Sequence, residues 1–369
     1  MSADPSLLTR CLDHLRALVS YDTQNPPRAI GTGGIFDYLQ AQLPGFTHRV
    51  TDFGAGAVSL YSVRGKPRFL INVHLDTVPV TPTWTRNPFE LLVTEDRAIG
   101  MGACDIKGAA AAMVAAAQVA DGDCAFLFSS DEEANDARCI AGFLAEKHAF
   151  DAVLVAEPTK AEAVLAHRGI SSVRLRFAGR AGHASAASAA SDSAVHQALR
   201  WGERALAHAE SLAHHRFGGL TGLRFNIGRI EGGIKANVIA PSCEVRLGFR
   251  PLPTMSTEAL LEAFRTAGPA LPAEFEPTFY GASLPAGDTA AAETHRLAAR
   301  DVADELGLPI GNAVDFWTEA ALFSAAGHTS LVYGPGDIAQ AHSADEWVAL
   351  DQLQQVTESY VRIITHGRH

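Results

Sequence analysis

Cysteine is scarce in this chain: only Cys11, Cys104, Cys124, Cys139 and Cys243, scattered and with no Cys-x-x-Cys spacing. An odd, dispersed set argues against a disulfide frame or a zinc knuckle and for reduced thiols in the cytoplasm. Long hydrophobic runs are missing too. No apolar stretch approaches the ~18 residues of a membrane span, and the first residues lack a signal-peptide pattern, so a cytoplasmic protein without a membrane partner is expected. Basic runs are absent, and the formal net charge of -11 argues against nucleic acid as a partner. There is no internal repeat. The glycine-rich segment over 100–108 contains neither GxGxxG nor a GK[ST] phosphate loop, which excludes phosphate cradling there.

What is present is ordinary globular material: 369 residues, 47% hydrophobic and 19% charged, a length that favours two domains. Leu7, Leu8, Cys11, Leu12, Leu15, Leu18 and Val19 fall at helical spacing and predict an amphipathic helix, ended by Asn25-Pro26-Pro27. A second helix is expected over 34–42 and strands over 57–63 and 69–73. The 100–108 loop then leads into an Ala-rich helix reaching about residue 120. Strands over 125–128 and 152–155 flank a helix near 139–147, and this alternation indicates a doubly wound, mostly parallel sheet.

The pattern changes after about residue 165. Strand, helix, two strands, helix and strand over 170–279 follow the ferredoxin-like order. Beyond residue 288 the helix–strand alternation returns, with a strand at 329–333 and a last helix over 349–364. The fold class expected is therefore α/β, with a discontinuous domain over 1–164 and 283–369 and an α+β insert over 165–282.

Carboxylates and histidines gather where the strands of the discontinuous domain end. Phe69 to Val73 run into His74-Leu75-Asp76. That arrangement suits a metal ligand with its orienting partner, or equally a buried histidine bonded to backbone beside a capping aspartate. Further groups are Asp105, Asp131-Glu132-Glu133, Glu157, and the stretch from Gly334 through Asp337 and His342 to Glu346. Three consecutive carboxylates behind an apolar strand repel one another unless cations neutralise them. His74, Asp105, Glu133, Glu157 and His342 with a bridging water would serve two metals, and a donor set without sulfur suits zinc, cobalt or manganese.

HLDTVP at 74–79, the GxGxxDxKG stretch at 100–108, SDEE at 130–133, AEPT at 156–159 and GPGD…AHxxDE at 334–346 together resemble the di-metal M20 amidohydrolases, in order and along nearly the whole chain. The resemblance lies toward the acetylornithine deacetylase branch, through Trp317-Thr318-Glu319-Ala320 and Gly334-Pro335-Gly336-Asp337. It implies that His74 and Glu157 hold one metal, that Glu133 and His342 hold the other, and that Asp105 bridges them. Asp76 would orient His74, and Glu132 would be the general base. The cofactors implied are two divalent ions, Zn2+ or Co2+. The insert would be a lid and dimerisation domain, closing on hinges near 164–168 and 281–284, in a homodimer. Its His183 would steady the oxyanion in the partner subunit's site, and Asn237 and Arg250 would bind the substrate carboxylate. Glu319 would face the amino-acid portion of the substrate or serve a structural role at the sheet end. The segment after His183, ASAASAASDSA, departs from the proline and Gly-Asn-Ala run usual there.

The activity implied is hydrolytic deacetylation of an Nα-acetyl amino acid in arginine biosynthesis. N-acetyl-L-citrulline, with its neutral ureido tail, is the substrate expected. Cationic N-acetyl-L-ornithine is the alternative, ahead of dipeptides, other acyl-amino acids and succinyl-diaminopimelate.

Overall fold

The computed structural model describes residues 5–27 and 30–366, which divide into two compact units. Of the described residues, the first comprises 5–27, 30–165, 295–311 and 318–366; the second comprises 166–294 and 312–317.

The first unit begins with α1 (Pro5–Val19), α2 (Ile35–Gln42), β1 (Thr47–Asp52), β2 (Val58–Arg64) and β3 (Phe69–His74). Short strands β4 (Leu92–Val93) and β5 (Arg97–Ile99) precede α3 (Gly108–Val119), β6 (Cys124–Ser129), α4 (Arg138–Leu144) and β7 (Ala152–Val155). The second unit contributes β8 (Ile170–Ala178), α5 (Ala189–Asp192), α6 (Ala194–Ser211), β9 (Arg216–Phe217) and β10 (Leu220–Thr221). It continues through β11 (Arg224–Gly232), β12 (Ser242–Arg250), α7 (Thr257–Arg265) and β13 (Glu274–Gly281). Helix α8 (Ala292–Glu305) carries the chain back to the first unit, which ends with α9 (Ala320–Ala325), β14 (Ser330–Val332), β15 (Trp347–Ala349) and α10 (Leu350–His366).

The six-stranded sheet of the first unit has the order β1-β2-β6-β3-β7-β14. Strands β6, β3, β7 and β14 run parallel, while β2 and β1 are antiparallel additions at one edge. Every residue of β3, β6 and β7 is buried, as expected for parallel strands covered on both faces. Ile71, Val73, Phe126, Phe128 and Leu154 pack in one core with α1, α3 and α10. Their neighbours Leu70, Leu127 and Val153 alternate to the opposite face and are buried as well. Helix α3 is buried all round from Gly108 to Ala117. Its seven alanines leave no bulk to hold apart α1 and α10, which both lie against it. Because β6, β3, β7 and β14 share one direction, their carboxyl ends fall side by side. His74, Ser129, Val155 and Val332 mark that row.

In the second unit the sheet order β11-β12-β8-β13 is antiparallel throughout and gives the 4-1-3-2 arrangement of a ferredoxin-like unit. Val173, Leu175, Phe177, Cys243, Val245, Leu247 and Phe249 face Ala198, Trp201, Ala205, Leu260 and Phe264 of α6 and α7. The indole of Trp201 donates to the Phe264 carbonyl at 2.7 Å. The outward face carries Arg174, Arg176, Glu244, Glu274 and Glu276 in ion pairs.

The boundaries expected from sequence shift at two places. Residues 283–294 and 312–317 belong with the second unit. His167 and Leu284 exchange backbone hydrogen bonds at 3.0 and 3.1 Å, and Val314 donates to the Ala166 carbonyl at 3.1 Å. The fully buried Arg168 pairs with Asp315, and Trp317 donates to the Ala282 carbonyl. Short or half-exposed strands β1, β4, β5, β9, β10 and β15, and the one-turn helices α5 and α9, have no counterpart in the sequence reading.

Candidate metal centre

His74 closes β3, and its Nδ1 lies 3.0 Å from the Asp76 backbone carbonyl. A carbonyl only accepts, so Nδ1 carries a proton, and in the neutral ring Nε2 then keeps the lone pair that a cation would take. That Nε2 sits 3.1 Å from Asp105 Oδ1 and 3.9 Å from Glu157 Oε1. His342 approaches from the other side, with Nε2 at 3.0 Å from Glu133 Oε1 and 3.3 Å from Asp105 Oδ2. One carboxylate, Asp105, thus turns an oxygen toward each histidine. Two donor sets result, His74/Asp105/Glu157 and Asp105/Glu133/His342, each with its donor atoms within 4.8 Å of one another.

Each donor has a local reason for its place. Glu157 follows β7 by two residues, and Glu133 lies in the turn after β6. Gly334, two residues past β14, lets the chain pass close to Glu157: a Cβ there would stand 2.6 Å from the Glu157 carbonyl oxygen. Asp105 occupies an irregular turn over 103–107, entered through Gly102 at φ +72°. His342 itself adopts φ +57°.

The charges crowd one another. Burial works to lower the His74 pKa, yet Asp105, Asp76, Glu157 and Glu132 together raise it well above the usual imidazole range. His342 is pushed up to about 10 by Asp105 and Glu133. Burial, then Asp105, Glu132 and Glu319, against the pull of His74, push the Glu157 carboxyl well up. The same holds for half-buried Glu132, raised by burial and by Glu133, Asp105 and Asp76 against His74. Buried anions of this density call for cationic partners. The oxygen and nitrogen donors, with no thiolate among them, match hard or borderline divalent ions.

Asp76 is tied in by three contacts. Its Oδ2 accepts from Asn25 Nδ2 at 2.8 Å and from the Glu133 backbone N–H at 3.0 Å, while Oδ1 stands 3.4 Å from His74 Nδ1. Its carboxylate therefore links the turns after β3 and β6 as well as facing the imidazole. Of the three consecutive acids, Asp131 turns inward, accepts from the Cys139 N–H at 2.9 Å, and is pushed up to about 6, mainly by burial. Glu319 is also interior, 1% exposed, with Oε2 accepting from the Ser129 hydroxyl at 2.9 Å.

The insert residues assemble separately, within the second unit. His183 bridges to Val238, Ala184 donates to the Asn237 carbonyl at 3.1 Å, and Ile239 donates to the Gly182 carbonyl at 2.8 Å. His183 and Asn237 are thereby neighbours, both exposed. His183 Nδ1 lies 2.7 Å from the Ser185 hydroxyl and receives the Ser185 backbone N–H at 3.3 Å. An N–H can only donate, so neutral His183 carries its proton on Nε2, which is left as a free donor. Arg250, ending β12, donates to the Asp315 carbonyl at 3.4 Å, while the Asp315 carboxylate pairs with Arg168 and Arg224.

Three contributors were not singled out from sequence. Asn25 stood only for a helix stop. Glu346 ends the GPGD…AHxxDE stretch, where the sequence gives it no role of its own. Ser185 belonged to the atypical segment. None carries a local pattern that announces its partner.

Residues 70–366 match peptidase family M20/M25/M40. The chain is 68% identical over 364 residues to the N-acetyl-L-citrulline deacetylase of Xanthomonas campestris pv. campestris, covering 98% of this chain and 99% of that one. It is 29% identical over 329 residues to an acetylornithine deacetylase of Pectobacterium carotovorum, covering 83% and 82%. Among solved structures, an aminopeptidase PepT of Bacillus cereus has the same fold at 19% identity, covering 97% and 98%, with a TM-score of 0.72. A dinuclear metal-binding M20 peptidase of Bacillus subtilis follows at 15%, covering 98% and 99%, with a TM-score of 0.64.

Proposed function

The chain belongs to peptidase family M20/M25/M40, and from that membership we propose that it hydrolyses N-acetyl-L-citrulline to L-citrulline and acetate. The observation that carries the substrate is the 68% identity, along almost the whole of both chains, to a relative of that name. Arginine biosynthesis in the cytoplasm is the setting this reading implies.

The centre is read as a pair of divalent sites. His74 and Glu157 would hold one ion, Glu133 and His342 the other, with Asp105 between them, in keeping with the two donor sets. Ions bound there would supply Lewis acidity and bring the pKa of a water toward neutrality. Zn2+ and Co2+ are the ions proposed. The residues do the rest. Glu132, a neighbour in charge of Asp105 and Glu133 but outside both donor sets, takes the proton of the attacking water as the C–O bond forms. It returns that proton to the amide nitrogen as the C–N bond breaks, so that acetate and a free amine leave. Asp76 holds the turn that orients His74.

We assign the second unit as the lid and the dimer surface. Its edge strand β11 and helix α6 expose Ile230, Leu199 and Leu206. His183, with its Nε2 proton available, would donate to the developing oxyanion in the partner subunit's site. Asn237 and Arg250 would receive the substrate carboxylate, a fork suited to that anion.

Side-by-side kcat/KM on N-acetyl-L-citrulline, N-acetyl-L-ornithine, succinyl-diaminopimelate and a dipeptide, with added Zn2+ or Co2+, tests the assignment. The expected result is a clear preference for the neutral ureido tail over the cationic one. Equal rates on all four would sink it.

A further inference from the structure

Glu346 belongs to neither donor set, is 2% exposed, and accepts three backbone N–H groups from one short turn. Oε1 receives the N–H of Cys104 and of Asp105, both at 2.8 Å, and Oε2 receives that of Gly102 at 3.1 Å. The Glu346 backbone carbonyl takes a fourth, from Gly100 at 3.0 Å. This turn cannot satisfy itself as a helix would. Asp105 at φ -124°, ψ 86° and Ile106 at φ -147°, ψ 31° are non-helical, and Gly102 is left-handed. Buried N–H groups must find acceptors, and here the two oxygens of a single side chain supply them.

The other end of the connection is the loop that carries His342. Both His342 and Asp345 adopt left-handed backbone, at φ 57° and 55°, which brings Glu346 round within four residues of the ligand. Asp345 is fastened to Thr85 through its N–H and hydroxyl, at 3.1 and 2.8 Å. One loop therefore contributes a histidine to the second donor set and, through Glu346, the mould for the turn bearing the shared carboxylate.

We infer that Glu346 is a positioning residue that preforms the Asp105 turn, keeping one Asp105 oxygen toward His74 and the other toward His342. The inference rests on the metal reading above. Replacing one carboxylate oxygen by an amide NH2 sets donor against donor at Gly102 or at Cys104 and Asp105. The turn then relaxes and both sites, which share Asp105, lose affinity together.

The test is Co2+ titration of the full-length protein against a competing chromophoric chelator, comparing wild type with Glu346→Gln and Asp345→Asn. Glu346→Gln should bind both ions about 10–100-fold more weakly and change the visible Co2+ spectrum, the magnitude typical of losing a partner that orients a ligand. Asp345→Asn tolerates the left-handed backbone, keeps its tie to Thr85 because the amide oxygen still accepts the N–H and the NH2 can donate to the hydroxyl oxygen, and leaves the Glu346 bonds intact, so it should bind as wild type does. Amide exchange on metal-free wild type gives a reading that needs no variant: the Gly102, Cys104 and Asp105 amides should already be protected. Protection that arises only after Co2+ is added, or unchanged affinity and spectrum in Glu346→Gln, overturns the inference alone. A wild type that takes up no Co2+ overturns the metal reading and this one with it.

Discussion

Carboxylates of one chemical kind have been given different tasks by their surroundings. Glu133 points at His342, Asp131 points inward at the Cys139 amide, and Glu132, between them, is left outside both donor sets. Glu132→Gln should retain both ions, by metal analysis, and lose turnover by about 10^2- to 10^4-fold, the worth of a positioned base. Retained turnover would assign the proton to another group. Glu319 makes the contrasting case. Burial, with Asp131 nearby, pushes its carboxyl up to about 8 from the ordinary 4.5. Between those values the folded chain keeps a proton that the unfolded chain has released. The folded state then binds more protons, so this group's contribution to stability falls as pH rises from about 4.5 to about 8 and is flat above. Glu319→Gln keeps an acceptor for Ser129 and removes the slope. In chelated protein its Tm relative to the parent should climb through that window, and a pH-independent difference would show that Glu319 is not held protonated.

At the scale of elements, the site depends on how close helices come to the sheet. Ala115 lies in the middle of α3 with no exposed surface. Ala115→Leu should cost about 1–3 kcal/mol in urea unfolding, because the added methylenes have no free volume. A neutral result would mean that the core is looser than its alanines indicate. The same scale explains which parts of the fold were legible. Strands buried on both faces write continuous apolar runs, so β3, β6, β7 and β14 could be read, and the residues following them announced the donors. Strand β1 alternates exposed and half-buried residues, and β4, β5 and β15 are two or three residues long, too little for periodicity to register. The role of Glu346 was illegible for another reason. Its partner Asp105 is 241 positions away, and the contact depends on a turn whose backbone angles no local rule supplies.

For the whole molecule, the second unit keeps its residues His183 and Asn237 together on its own scaffold. If His183 serves the partner subunit, two inactive proteins can repair each other. Glu132→Gln mixed and refolded with His183→Ala yields heterodimers in which one site has both groups intact. Activity should return to a substantial fraction of wild type, and mixtures that stay inactive would place His183 in the site of its own chain.

The donors of the two sets are not spread evenly along the chain. His74, Asp105 and Glu157 have all been made once residue 157 is made, whereas the second set waits for residue 342. At about 5–20 residues per second, on the order of ten to forty seconds of synthesis separate the two events. Glu346, which moulds the Asp105 turn, comes later still. A growing chain therefore carries half a centre, with its shared aspartate unshaped, until its closing helix is about to emerge.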